Sequence, residues 1–334
     1  MIETERLLLR PARPSDAADL HARRNEPEVA RYASWAPPFP MERAEAMTAD
    51  NEPIDGWRML VVTDKATDET LGDVAYGMSF DDRVAEIGFT FASRHWGNGY
   101  ATEAASALID HLFATTGISR VTGQLHPDNL ASARTLERLG FVFEGHTRLS
   151  YWVGDDNSDD WIYGLTRADH EAWLARPTTP PATVELVPIT PDNARAVQAL
   201  RTHKTQERMV APVLRSFADA LVPEVIDGAP VVPWYRAVAA DGDLVGFVML
   251  AEPTEVHPEP YLWRLLVDRL HQRRGIGERI LDLLVDQCRA WGVDTLMTSW
   301  VDGVGSPRGF YERNGFVPTG EIIDGEVEAR RTLR

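Results

Sequence analysis

A strand-like run that empties into a glycine-rich turn and then a helix-like run occurs twice in this chain, and this limits the fold more than any other feature. The first copy is Arg94-His-Trp-Gly97-Asn-Gly99-Tyr-Ala101, after the run 84–91 and before 102–113. The second is Gln272-Arg-Arg-Gly275-Ile-Gly277-Glu-Arg279, after 261–267 and before 279–291. Each half then reaches a Gly-Phe pair after another helical run, at Gly140-Phe141 and Gly315-Phe316. Taken from Gly97 to Gly275 the first landmark recurs after 178 residues, and the second recurs after 175. Two landmarks at nearly one offset predict a duplicated domain.

The prolines of Arg176-Pro-Thr-Thr-Pro-Pro-Ala-Thr183 discourage both helix and central strand. They predict domains over 1–177 and 184–334 with a Pro-rich linker over 178–183. A length of 334 residues suits two domains. Each half opens with a strand (6–10; 184–189) and a helix after Ser15-Asp16 or Thr190-Pro191. Two strands follow (58–63 and 71–78; 235–239 and 244–250), the second pair joined by Asp241-Gly-Asp, a hairpin signal. The expectation is an α/β (α+β) protein of two domains, each a twisted mixed sheet flanked by helices.

Glycines at a strand-to-helix junction suit an anion. A helix N-terminus leaves backbone N–H groups unpaired and partly positive, and glycine lets them approach a phosphate closely. Arg94 can add charge. The phosphate loop that ends in Gly-Lys-Ser/Thr is excluded, and so is the dinucleotide fingerprint with its third glycine: neither copy has them. The net charge of −17 argues against nucleic acid and for cationic partners, with solubility as the plainer reading. No apolar run approaches about 18 residues, so no membrane helix is expected. The charged first 20 residues do not resemble a secretory signal. The single cysteine, Cys288, excludes an internal disulfide or cysteine-built metal site, and a cytoplasmic location fits. No metal site is expected.

Three stretches of the first half carry a family likeness: Glu3-Thr-Glu-Arg-Leu-Leu-Leu-Arg-Pro11, Trp96-Gly-Asn-Gly-Tyr-Ala-Thr-Glu-Ala104, and Asn129-Leu-Ala-Ser132 leading to Leu139-Gly-Phe141. It resembles GNAT-superfamily N-acetyltransferases of the RimJ/RimL type. The second half, through Val245–Leu250, Trp263–Asp268, Gln272–Gly277 and Gly309-Phe-Tyr-Glu-Arg-Asn-Gly-Phe316, resembles the spermine/spermidine acetyltransferase group.

The resemblance implies acetyl-CoA as co-substrate. Its pyrophosphate would meet Arg94, Gly97, Asn98, Gly99, Tyr100 and Ala101, and Gln272, Arg273, Arg274, Gly275, Ile276, Gly277 and Glu278. Its pantetheine would lie along Phe89-Thr90-Phe91 and Leu265-Leu266-Val267, with Asn129 as a further contact. An amine attacking a thioester directly needs a proton acceptor and gains from a donor to the leaving sulfur. The family pattern makes Glu86 the base and Ser132 the acid in the first half, and Tyr311 the acid in the second. Each has a plainer role as strand surface, helix surface or core. In the second half Val304 replaces the expected asparagine, and Arg264 stands where Glu86 stands at the 178-residue offset. Glu252, Glu255, His257 and Glu259 are loose alternatives for its base.

The acidic run from Asp155 to Asp160, flanked by Trp152 and Trp161, reads as a solvated loop or as an attraction for a cationic acceptor. The expected function is acetyl transfer to a primary amine of a small molecule in a ternary complex. Acetylation of a protein N-terminus, a CoA-binding sensor or scaffold, and a mycothiol-synthase-like enzyme are the alternatives. Candidate partners are the amine and a second copy of the chain as a homodimer, without nucleic acid or membrane. Segments 35–57 and 203–232 are expected to shape the acceptor pockets.

Overall fold

A computed structural model describes residues 1–50, 52–153 and 155–333; Asn51, inside the segment 35–57, lies outside them. The chain divides into two compact units, Met1–Ala175 and Arg176–Arg334.

The first unit contains β1 (Ile2–Glu3), β2 (Leu7–Pro11), α1 (Ala17–Arg24), α2 (Pro27–Ala30), α3 (Met41–Ala49), β3 (Trp57–Asp64), β4 (Thr70–Ser79) and β5 (Val84–Phe91). It continues with α4 (Tyr100–Thr115), β6 (Arg120–Leu125), α5 (Leu130–Arg138), β7 (Val142–Val153), β8 (Asp156–Thr166) and α6 (Arg167–Ala175). Its strands form one sheet in the order β1-β2-β3-β4-β5-β6-β8-β7. All neighbours are antiparallel except β5 and β6, which run parallel across the α4 crossover. The core lies between this sheet and α4 and α5. Ala104, Leu108, Ile109 and Leu112, spaced at helical intervals, bury one face of α4 against Ala85, Ile87 and Phe91 of β5. Asp156–Asp160 of the acidic run are sheet, the start of β8.

The second unit contains β9 (Val184–Val187), α7 (Ala194–Ala199), α8 (Val213–Leu221), β10 (Val225–Ile226), β11 (Ala229–Pro230), β12 (Pro233–Ala240), β13 (Asp243–Ala251) and β14 (Tyr261–Val267). Then come α9 (Ile276–Ala290), β15 (Thr295–Trp300), α10 (Arg308–Arg313), β16 (Val317–Ile323) and β17 (Glu326–Thr332). The main sheet runs β16-β17-β15-β14-β13-β12-β9, with β14 and β15 the parallel pair. One face packs on α9 through Ile280, Leu281 and Leu284, and the other on α7 and α8 through Val197, Val213 and Phe217. Residues 179–182 are strapped to this unit. The Arg274 guanidinium donates to the Thr179 carbonyl at 2.7 Å, and that of Arg279 to the Pro181 and Ala182 carbonyls at 2.6 and 3.0 Å.

The two units correspond, but not at the offset taken from Gly97 and Gly275. Gly99 (φ 79°) is the residue before α4, and Gly275 (φ 74°) the residue before α9. Two positions earlier, Gly97 (φ 81°) and Arg273 (φ 61°) are also left-handed. Trp96 Nε1 donates to the Phe91 carbonyl at 2.9 Å, and Gln272 Nε2 to the Val267 carbonyl at 3.0 Å. The loops therefore superpose Gly99 on Gly275 and Trp96 on Gln272, an offset of 176, close to the 175 that separates Gly140 from Gly315.

A bulge shifts the strand before the loop. Phe91 lies opposite Gly72, and Glu86 opposite Gly77. In β14, Val267 lies opposite Gly246 and Tyr261 opposite Ala251. The partner strands advance equally, but β14 spends one more residue, at the irregularity beside Trp263. Tyr261, not Arg264, stands where Glu86 stands.

Candidate active site

In each unit the parallel strands part early. The β5–β6 ladder holds only through Glu86–Thr122, and the β14–β15 ladder only through Leu262–Thr298. Beyond these pairs, Phe89, Thr90 and Phe91, and Leu265, Leu266 and Val267, have no ladder partner on that side. An exposed strand edge of this kind offers backbone donors and acceptors to an extended ligand. The carboxyl ends of the parting strands lead straight into the glycine loops.

The loops supply the second element. Left-handed residues two apart, Gly97 and Gly99 in one loop and Arg273 and Gly275 in the other, bend the backbone so that successive N–H groups can form one concavity, a nest for an anion. No side chain caps α4 or α9, so their first N–H groups remain available beside Tyr100 and Ala101, and beside Ile276, Gly277 and Glu278. A Cβ added at Gly97 or Gly275 would meet nothing within 4 Å, so backbone conformation is the reason for glycine there. Arg6 braces the first loop: its Nη1 donates to the Asn98 carbonyl at 3.1 Å, its Nε to Glu103 at 2.7 Å, and its guanidinium lies 4.6 Å from the Tyr100 ring centre.

Several named side chains have contacts of their own within the protein. Arg94 pairs with Glu69 at 3.5 Å, and His95 with the same carboxylate at 3.2 Å. Gln272 interlocks with Gln206 at 2.8 Å. Arg274 is buried against the Thr179 carbonyl and His271, which leaves its backbone alone facing the loop. The Asn129 side chain caps α5, its Oδ1 accepting the Ser132 N–H at 3.2 Å. In the second unit His257 is bound to the Ile226 carbonyl, and Glu259 to Arg330 at 3.0 Å.

Glu86 is half-buried where β5 leaves β6. Burial first, and then the charge of Asp160, hold its carboxyl above the usual carboxylate range. Asp160 is 4% exposed and accepts from the Ser150 hydroxyl at 3.1 Å; burial raises its pKa, opposed by Ser150 and His126. Tyr151, hydrogen-bonded to Ser34, is raised by burial and by both carboxyls. The run thus splits. Asp159 is tied to His146 at 2.8 Å, while Asp160, the last residue of the acidic run, is buried and its charge reaches Glu86. Strand alternation was the available signal: Asp160 shares a face with Ile162 and Gly164 of β8. Trp152 is exposed, and Trp161 packs on Phe143 at the core's edge. Ser132, in the first turn of α5, follows the carboxyl end of β6.

Tyr311 is 8% exposed and stacked on Trp300, with ring centres 5.8 Å apart. Burial pushes its phenol up to about 12; a hydrogen bond to Thr298 opposes this and Glu326 adds to it. It borders a cavity of about 1350 Å³ whose lining includes Tyr261, Arg264, Gly275 and Ser299.

Comparison with known proteins agrees with this geometry. Residues 6–142 match the model of the acetyltransferase (GNAT) domain, and residues 197–316 that of the acetyltransferase (GNAT) family. The chain is 33% identical over 150 residues to the uncharacterized N-acetyltransferase p20 of Bacillus licheniformis, covering 43% of this chain and 84% of that protein. This chain belongs to the GNAT acetyltransferase family. It is also 35% identical over 144 residues to the uncharacterized protein YkkB of Bacillus subtilis, covering 42% of this chain and 84% of the relative. A spermidine N-acetyltransferase from Vibrio cholerae, solved with CoA and spermine, is 20% identical with a TM-score of 0.45, covering 50% of this chain and 99% of that one.

This GNAT protein is an acyltransferase that uses acetyl-CoA as co-substrate. The open strand edges and uncapped nests fit an extended pantetheine and a pyrophosphate. Among the described residues no group of three or more His, Cys, Asp or Glu side chains could hold a metal ion, and no helix is long and apolar enough to cross a membrane.

Proposed function

We propose that the first unit acetylates a primary amine of a small cationic molecule in a ternary complex. The observation that carries this is the pair of Glu86, at the fork between β5 and β6, and Asp160 of β8, two carboxyls held above the usual carboxylate range, the charge of Asp160 reaching Glu86. Acetyl-CoA supplies an activated acetyl thioester. The backbone of Phe89–Phe91 and the nest from Gly97 to Ala101 orient it. Asp160 and Glu86 attract the ammonium, and Glu86 takes its proton. Ser132, in the first turn of α5 after β6, gives a proton to the leaving sulfur in this reading. Cys288 supports direct transfer: it is buried in the core of the second unit with its thiol pushed up to about 11, so it offers no thiolate for a covalent relay. The second unit keeps the fork, the nest and Tyr311 as acid, and belongs to the same reading.

The test is acetyl-CoA consumption by the purified chain with diamines, aminoglycosides and peptides with free N-termini. A first-unit share of diamine turnover that Glu86→Gln removes supports the reading. Turnover of peptides alone overturns its acceptor, and acetyl-CoA binding without turnover of any amine makes the chain a sensor.

A further inference from the structure

The reading of the second unit as an acetyltransferase leaves its proton acceptor unassigned, and the following inference rests on that reading. Tyr261 holds the place of Glu86, at the fork where β14 leaves β15. Its hydroxyl is hydrogen-bonded to the side chain of Ser299 on β15, and the Ser299 Oγ donates a short hydrogen bond to Glu326 on β17. The Ser299 proton is thus committed to Glu326, so the Ser299 oxygen accepts from Tyr261. All three side chains line the cavity that Tyr311 borders. On its other flank, Tyr311 is hydrogen-bonded to Thr298, whose Oγ1 donates to the Leu262 carbonyl at 3.1 Å. A donor and an acceptor path therefore reach the fork from opposite sides.

We propose that Tyr261, Ser299 and Glu326 form the proton-accepting chain of the second unit, with Tyr261 facing the amine and Glu326 as the terminal acceptor. The ammonium N–H bond breaks as a proton passes to the Tyr261 oxygen. The Tyr261 proton moves to Ser299, and the Ser299 proton to a Glu326 oxygen. The amine ends neutral and Glu326 protonated, with no other reactant needed. Tyr261 is the catalytic residue, and Ser299 and Glu326 act through it. The groups that face Glu326 are Tyr261 of β14, Ser299 of β15, Tyr311 of α10 and Glu328 of β17; Arg330 is held by Glu259. Burial, and then the charges of Glu328 and Glu326 against the Ser299 bond, keep Tyr261 protonated at neutral pH, as a relay requires.

The test uses the full chain with its first unit silenced by Glu86→Gln and Gly99→Glu, and putrescine as the amine. Three readouts are taken: rate against pH, acetyl-CoA affinity by calorimetry, and tyrosine ionisation by ultraviolet difference, with Tyr261→Phe identifying the signal. Glu326→Gln and Ser299→Ala should each lower kcat on the order of a hundredfold and flatten the acid limb, with acetyl-CoA affinity unchanged. Glu326→Asp should restore part of both. Glu326→Gln should also let Tyr261 ionise at lower pH, because a neighbouring negative charge is gone. A wild-type limb and rate in Glu326→Gln, or an unmoved Tyr261 ionisation, overturns the chain and leaves acetyl transfer standing. Absence of turnover in the silenced parent, whether or not its second nest still binds acetyl-CoA, overturns the reading beneath it and the chain's role together.

Discussion

Asp160 of β8 lies close enough to Glu86 of β5, across β6, for its charge to raise the Glu86 pKa, although the two are far apart in sequence. A base must be unprotonated to act, so first-unit activity should rise with pH along a limb above the usual carboxylate range. Glu86→Gln should remove that limb and slow acetyl transfer on the order of a hundredfold. Asp160→Asn should move the limb to lower pH, since one of the causes of the shift is deleted. Rate–pH profiles of the three proteins check both.

The same shift has a sign for stability. Glu86 has a raised pKa in the folded state, so its contribution is fully present below its unfolded pKa and is lost as pH rises through the folded value. Glu86→Gln should therefore be more stable than wild type at neutral pH, by an apparent Tm of about 2 °C, with the difference fading in acid. Thermal unfolding at several pH values measures this.

Gly275 has a left-handed backbone and open space around its Cβ position. Gly275→Ala should cost the second unit about 1 kcal/mol from backbone conformation alone, and Gly275→Asn less. Gly99→Glu places a carboxylate at the first nest and should abolish acetyl-CoA binding there while the second unit still binds. Denaturant unfolding reads the first pair, and calorimetry the second effect.

Tyr311→Phe keeps the stack on Trp300 and loses the hydrogen bond to Thr298. A stability loss of about 1 kcal/mol is expected. If the phenol is the acid, second-unit kcat falls roughly ten- to a thousandfold. A rate within about twofold of wild type would make it a packing residue.

Asp73 is buried between two guanidiniums, at 2.8 Å from Arg23 and 3.5 Å from Arg24. Asp73→Ala strands Arg24 and leaves Arg23 with Asp19 alone, and should cost about 3 kcal/mol, seen as early unfolding of that unit. Acetyl-CoA binding by the second unit serves as its control.

Much of the fold was legible because it is local. The runs 84–91 and 261–267 are strands β5 and β14 with the expected bounds, and each glycine turn opens a helix. The end of the first half was less legible. Asp156–Asp160 read as solvated loop because charge outweighs strand propensity in isolation, yet pairing with β7 makes these residues sheet. Asn129 matched a contact pattern, and its side-chain oxygen also caps the helix it starts, a role that the pattern did not carry.

By itself the sequence determined the duplication, the two strand–turn–helix units, the glycine turn that opens each helix and the acidic balance. These depend on neighbours within a turn or two, where spacing and backbone sterics decide. Tertiary structure alone decided that the charge of Asp160 reaches Glu86, that Gly99 rather than Gly97 corresponds to Gly275, and that Tyr261 takes the place of Glu86. The physical reason is register. One extra residue beside Trp263 turns the strand by half its two-residue period, and neither a bulge nor a cross-strand charge leaves a trace in local composition.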